Sequence, residues 1–216
     1  MMQVQVVFRQ EPKPSAGLRL RKKVRTRLAI EDAALALFSE QGYEATTVEQ
    51  IAARADISPT TFFRYFPGKA DVILSDQDAQ LPSLQQAIVG RPSHENDLLA
   101  VRRALQHAWI KAIDPERTTY TFRAVASSTV LRGLSYEIGQ RWLRAVAEAL
   151  AQRHEISAVQ ERYLLTARVA LSVFGETVEV WIADGCRYEL GGAMERNFET
   201  MTQLCAEWSR RESPHL

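Results

Sequence analysis

TVEQIAARADISPTTFFRYFPGK, residues 47–69, is the stretch on which the reading of the chain turns. Thr47 with Gln50, and Thr46 with Glu49, have the form of a capping box, so a helix opens here. Its apolar side is Val48, Ile51, Ala52 and Ala55 at helical spacing. Asp56 then breaks the pattern, because Asp tolerates the left-handed conformation that a sharp turn needs. Ser58 is an N-cap and Pro59 fits the first helical position, so a second, short helix starts at once. At about 100° per residue, Phe66 lies about 40° from Phe62, and the pair can anchor that helix to a core. Thr60 and Arg64 then point outward, with Thr61 and Phe63 on the flanks. Supporting helix, tight turn and short second helix form a helix-turn-helix whose second helix is sized for a DNA major groove.

The segment from about Leu28 to Leu74 resembles the TetR family of bacterial transcription regulators. The residues that carry the resemblance are AIEDAALALFSEQGYEATTVEQIAARADIS and PTTFFRYFPGKADVIL, about a quarter of the chain. Asp56 departs from the pattern, since the family usually has Gly there, at a cost of about 1 kcal/mol. The start LRLRKKVRTRLAIEDAALALF is similar to an actinobacterial branch whose C-terminal half is an acyl-CoA-like ligand-binding domain, the branch of the mycofactocin-system regulator.

The charge distribution fits a DNA-binding head. Residues 1–70 hold 11 Lys/Arg against 7 Asp/Glu, or +4, while residues 71–216 hold 16 against 19, or −3. The whole chain carries only +1, so any nucleic-acid contact must be local. Six basic residues crowd positions 19–27 without an acid among them, and this cluster is expected to meet phosphates. Within it Arg21 and Lys22 are the expected contacts, together with Thr47, Tyr65 and Lys69, and Ser58 at the start of the second helix. Thr60, Thr61 and Arg64 are expected to read bases, with Phe63 against a thymine methyl or the sugar-phosphate.

The remainder reads as an all-α protein of about nine helices. Residues 1–18 are expected to be a mobile arm, 19–70 the DNA-binding domain and 71–216 a helical ligand-binding and dimerisation domain. Helix 1 runs to about Gln41 on an inner stripe of Leu28, Ala33, Ala34, Leu37 and Phe38, and Gly42 stops it. One helix is expected from Gly68 toward Ile88, bent near Pro82 and joining head to body as a lever. Further helices are expected over 95–112, 116–131, 134–153, 157–184 and 193–211, with Gly133 and Gly191-Gly192 between helices.

Met194, Phe198, Met201, Cys205 and Trp208 are spaced 4, 3, 4, 3, a heptad seam. With Phe174 and Trp181 of the preceding helix they are the expected homodimer interface, and pairing through the last two helices is also what the resemblance implies. Such a dimer presents two recognition helices to two half-sites of a palindromic operator.

No catalytic chemistry emerges. His94, His107, His154 and His215 match no zinc-helix spacing and read as surface or capping residues, and Ser127-Ser128 lacks nucleophile-elbow glycines. Cys186 and Cys205 read as reduced thiols. No cofactor or metal is expected. With no signal-peptide core and no uncharged membrane-length run, the expectation is a soluble, cytoplasmic protein.

A sensory pocket is implied by the resemblance, and Trp109, Phe122, Arg123, Tyr136, Trp142, Phe174 and Trp181 are the candidate lining. Arg117, Arg123, Arg132, Arg141, Arg144 and Arg153 would suit the phosphorylated head of an acyl-CoA, or else form a solvated basic face. The expected function is a ligand-responsive repressor, released from DNA by an apolar small molecule such as an acyl-CoA. The alternatives are an effector-independent DNA-binding regulator and a helical ligand-binding protein with a vestigial head.

Overall fold

The computed structural model describes residues 17–74 and 80–211. The arm expected over 1–18 lies almost wholly outside them. Ten α-helices are described: α1 (Leu18–Gln41), α2 (Val48–Arg54), α3 (Pro59–Phe63), α4 (Lys69–Leu74), α5 (Leu81–Val89), α6 (Asp97–Ala108), α7 (Pro115–Ser127), α8 (Thr129–Arg153), α9 (Glu161–Ala183) and α10 (Leu190–Arg211). The expected all-α class is what the fold shows.

The chain divides into two compact units, residues 1–80 with 112–139, and residues 81–111 with 140–216. Residues 112–139 thus cluster with the helix-turn-helix rather than with the remainder of 71–216. The reason lies in α1, which packs on α2 and α4 and also on α7. Ala33, Ala34, Leu37 and Phe38 are buried as expected and Leu28 is half-buried; Ile30 and Leu35 are buried as well, since α1 is covered on more than one side.

An ionic chain reinforces the α1–α7 contact. Arg117 of α7 donates to Glu31 at 2.5 Å, to Asp32, and to the Leu28 carbonyl. Arg27 stands 3.0 Å from the other oxygen of Glu31 and lies over the Phe66 ring, 4.5 Å from its centroid. Burial pulls the Arg117 guanidinium down, but the hydrogen bonds and charges of Glu31 and Asp32 outweigh it, so its pKa is raised.

Two helix boundaries differ from expectation. Of the helix expected from Gly68 to Ile88, α4 and α5 are described as helical, and 75–79 lie outside the described residues. Pro82 sits in the first turn of α5, where its missing N–H has no intrahelical partner to lose. The break expected at Gly133 falls at Ser128, whose Oγ accepts from Leu131 N at 3.3 Å and starts α8. Gly191 and Gly192 lie inside the first turn of α10, where their N–H groups donate to the Glu189 carboxylate.

In the second unit α6, α9 and α10 pack together and α5 packs on α6. Buried Arg153, at the end of α8, donates to Asp97 at 2.5 Å and to the carbonyls of Arg91, Pro92 and Glu95, fastening the α5–α6 connection. His154 is half-buried in the same knot, with Nε2 2.7 Å from Asp97.

Candidate nucleic-acid interface

The capping chemistry is realised atom by atom. Thr47 Oγ1 accepts from Gln50 N at 3.3 Å while Gln50 Oε1 accepts from Thr47 N at 2.9 Å, which starts α2. Asp56 takes φ 53°, the left-handed turn between α2 and α3. Ser58 Oγ accepts from Thr61 N at 3.1 Å and Pro59 opens α3. A bidentate Arg54–Glu40 pair, 2.6 and 2.7 Å, ties α2 to α1.

Phe62 and Phe66 are both fully buried, their rings 5.8 Å apart. That anchoring turns Thr60 and Arg64 to solvent and leaves Phe63 54% exposed, its ring edge-on to Phe62 at 5.5 Å. Thr61 and Tyr65 are half-buried beside them. Of the expected base-reading set, the structure thus brings all four to one outward face.

Across from α3 lies a cleft of about 590 Å³. Arg19, Lys22, Lys23 and Thr26 of α1 line one wall, and Thr61, Arg64 and Tyr65 with Ile57 the other. Among the described residues four cations and no carboxylate line it, a charge that attracts anions such as phosphate. Arg21, singled out in the sequence, is exposed but does not line this cleft, whereas Arg19 and Lys23 do. The signal was available: 19, 22, 23 and 26 recur at helical spacing, and 21 falls off that stripe.

Lys69, expected at a phosphate, has partners within the chain. Its ammonium donates to the carbonyls of Tyr43 at 2.7 Å, Glu44 at 3.2 Å and Thr46 at 2.8 Å, and lies over the Tyr43 ring at 4.3 Å. An ammonium has three N–H groups, and all three are engaged. In the structure Lys69 fastens the α1–α2 loop.

The expected effector residues fall in both units. Trp109, Trp142 and Phe174 pack on one another in the second unit, with centroids 4.5 and 5.9 Å from Trp109. The buried Trp142 N–H has no acceptor. Trp181 is buried too and donates to the Tyr188 carbonyl at 2.9 Å. Phe122, Arg123 and Tyr136 belong to the first unit, Arg123 exposed and Tyr136 59% exposed. Of the six arginines considered for an acyl-CoA head, Arg117 and Arg153 are held by the carboxylates and carbonyls described above. Arg132 donates to the Ala126 carbonyl and to Thr129.

The expected dimer seam also differs. Phe174, Trp181, Met194 and Phe198 are core of their own chain, Met201 is half-buried and Cys205 exposed, and the Trp208 side chain lies outside the described residues. The exposed apolar side chains on these helices are instead Leu164, Leu165, Val169 and Val180 of α9 and Leu204 of α10. The first part of the heptad stripe, Met194 and Phe198, packs α10 within the chain, while Met201 and Cys205 are progressively more exposed. Among the described residues no group of His, Cys, Asp and Glu could hold a metal, and no helix is long and apolar enough to cross a membrane.

Outward α3, buried Phe anchors and the basic α1 wall define a helix-turn-helix protein with a DNA-type surface. Residues 30–75 match the model of the tetR family of bacterial regulatory proteins, so this segment is a TetR-family helix-turn-helix, a regulator's element rather than an enzyme's. The chain is 46% identical over 90 residues to the HTH-type transcriptional regulator TcmR of Streptomyces glaucescens, covering 42% of this chain and 40% of that protein's own length. It is 25% identical over 169 residues to MftR of Mycobacterium tuberculosis, a putative mycofactocin biosynthesis regulator, covering 76% and 83% of the two chains. Among solved structures it is similar to Thermus thermophilus FadR, a TetR-family repressor in complex with lauroyl-CoA. That likeness has TM-score 0.51 and 23% identity, covers 80% of this chain and 91% of that one, and speaks for the fold.

Proposed function

We propose that this protein is a homodimeric transcriptional repressor that binds a palindromic operator and is released by an apolar small molecule. The observation that carries the reading is the pairing of an outward Thr60-Thr61-Phe63-Arg64 face with a cation-lined cleft. Thr60, Thr61 and Arg64 contact base edges and Phe63 a thymine methyl. Arg19, Lys22, Lys23 and Tyr65 seat the backbone, with N–H groups at the helix starts. Two copies join through Leu164, Leu165, Val169, Val180 and Leu204, the apolar surface that α9 and α10 leave uncovered.

The effector reading is supported by the similar repressor solved with lauroyl-CoA and by the apolar Trp109–Trp142–Phe174 cluster with its unmatched indole N–H. Footprinting on DNA flanking the protein's own gene, with and without long-chain acyl-CoA, tests it. A palindromic footprint erased by acyl-CoA but not by CoA supports both operator and effector class. A footprint indifferent to acyl-CoA removes that effector and keeps the regulator. Absence of specific binding to any fragment at low salt removes the regulator.

A further inference from the structure

A groove of about 420 Å³ lies within the second unit, between Leu98, Leu99 and Arg102 of α6 and Phe198, Thr202 and Gln203 of α10. We propose that it binds an uncharged apolar molecule that carries a hydrogen-bond acceptor, an aryl ketone being the simplest of the class.

The size falls in the range of small-molecule sites, about 300–1,000 Å³. Leu98, Leu99 and Phe198 supply apolar wall, and Arg102 supplies the one concentrated source of donors. Its side chain is only 12% exposed, and of a guanidinium's five N–H groups one is engaged, Nη1 to Glu195 at 2.6 Å. The buried Nε–H has no acceptor at all. A buried donor left without an acceptor is costly, so an occupant that offers an oxygen there gains what the protein alone lacks.

The charge of the occupant follows from the carboxylates. Glu195 already neutralises Arg102, and Glu199 stands on the groove wall. An anion would meet a site whose positive charge is spent, and a cation could pair with Glu199 but would leave the Arg102 Nε–H without an acceptor. A neutral acceptor avoids both. Nor is this the surface proposed to receive a second copy. At about 100° per residue, Leu204 lies about 160° from Thr202 and about 140° from Glu199 around α10.

The test titrates the full-length protein with 6-propionyl-2-(dimethylamino)naphthalene, an uncharged aryl ketone whose emission shifts blue out of water. The expected result is saturable binding of one probe per chain. Leu99→Trp, which fills the groove, and Arg102→Lys, which keeps the pairing with Glu195 but removes Nε, each weaken binding at least tenfold. Circular dichroism and urea midpoints confirm that both variants are folded, and Val159→Ser, at an exposed position between α8 and α9, serves as the unaffected control. The proposal is overturned by non-saturable binding, or by affinity that both groove substitutions leave unchanged. It is equally overturned if the anionic probe 1-anilinonaphthalene-8-sulfonate binds more tightly in a Leu99→Trp-sensitive manner. Loss of probe occupancy as protein concentration rises would make the groove a seat for a second copy instead. No DNA enters the assay, so its failure leaves the operator reading standing, and a missing footprint leaves the groove standing.

Discussion

Replacing Lys69 by Met separates a structural role from a DNA contact. The side chain keeps its length and apolar stem but loses three charge-assisted bonds to the Tyr43, Glu44 and Thr46 carbonyls, and a cation over the Tyr43 ring. Hydrogen bonds to a charged group contribute about 1.5–3 kcal/mol each, yet three on one ammonium are far from additive, and solvent recovers some of the freed carbonyls. A net loss of about 2–4 kcal/mol is expected, lowering Tm by about 5–15 °C. Urea unfolding gives the first number. The second readout is the salt dependence of DNA affinity, measured at a temperature where the variant is folded. Each phosphate contact adds about 0.9 to the slope of log K against log salt, so losing one contact per copy in a dimer would reduce it by about 1.8. With Lys69 committed to carbonyls, that slope stays as in the parent protein. Unchanged stability with a slope reduced by about 1.8 would refute the reasoning and return Lys69 to the phosphate.

Arg117→Met leaves the buried Glu31 carboxylate with Arg27 as its remaining cation; it should cost about 2–3 kcal/mol in urea unfolding, with part recovered by adding Glu31→Gln. Arg64→Ala should weaken operator binding more than binding to random DNA in parallel titrations, by about 1–3 kcal/mol; equal losses would reduce Arg64 to a backbone contact. Burial and the neighbouring Glu176 hold the Glu179 carboxyl above the usual carboxylate range. Its folded-state pKa therefore exceeds the unfolded one, so its charge opposes folding at neutral pH and the penalty fades as pH falls through the folded pKa. Glu179→Gln should then stabilise by up to about 1 kcal/mol at pH 7 and by nothing near pH 4, read as urea midpoints at the two pH values.

What could be read in the sequence was local. The Thr47–Gln50 box, the Asp56 turn, the Ser58-Pro59 start and the Phe62–Phe66 anchor are set by neighbours within a few residues, and each appears in the structure as its chemistry requires. Contacts between distant residues left no such trace. Glu31 and Arg117 stand 86 positions apart, and nothing in the order of residues marks Arg117 among the arginines of 117–153 as the clamp. Lys69 reaches main-chain carbonyls, which every residue possesses, so its partners have no signature in residue type. Apolar spacing on α10 showed that one side is buried, but not whether its own chain or a second copy covers it. In the structure Met194 and Phe198 are buried within the chain, and Leu204 is exposed.

Those long-range contacts also change where a signal to the recognition helix would arrive. The sequence pointed to one long helix after Lys69 as the lever. In the structure α7 shares a unit with α1, and Arg117 grips Glu31 while Arg27, on the other side of that carboxylate, lies against Phe66. Phe66 is one of the two rings that orient α3. A displacement of α7 therefore meets α1 through a buried ion pair and α3 through a stacked guanidinium, both short-range and directional. A ligand that favours a shifted α7 can act on the DNA face only through its difference in affinity between the two arrangements. Arg117→Met, already expected to lower stability, should then also reduce the ligand-induced loss of DNA affinity; full release by the variant would place the coupling outside α7.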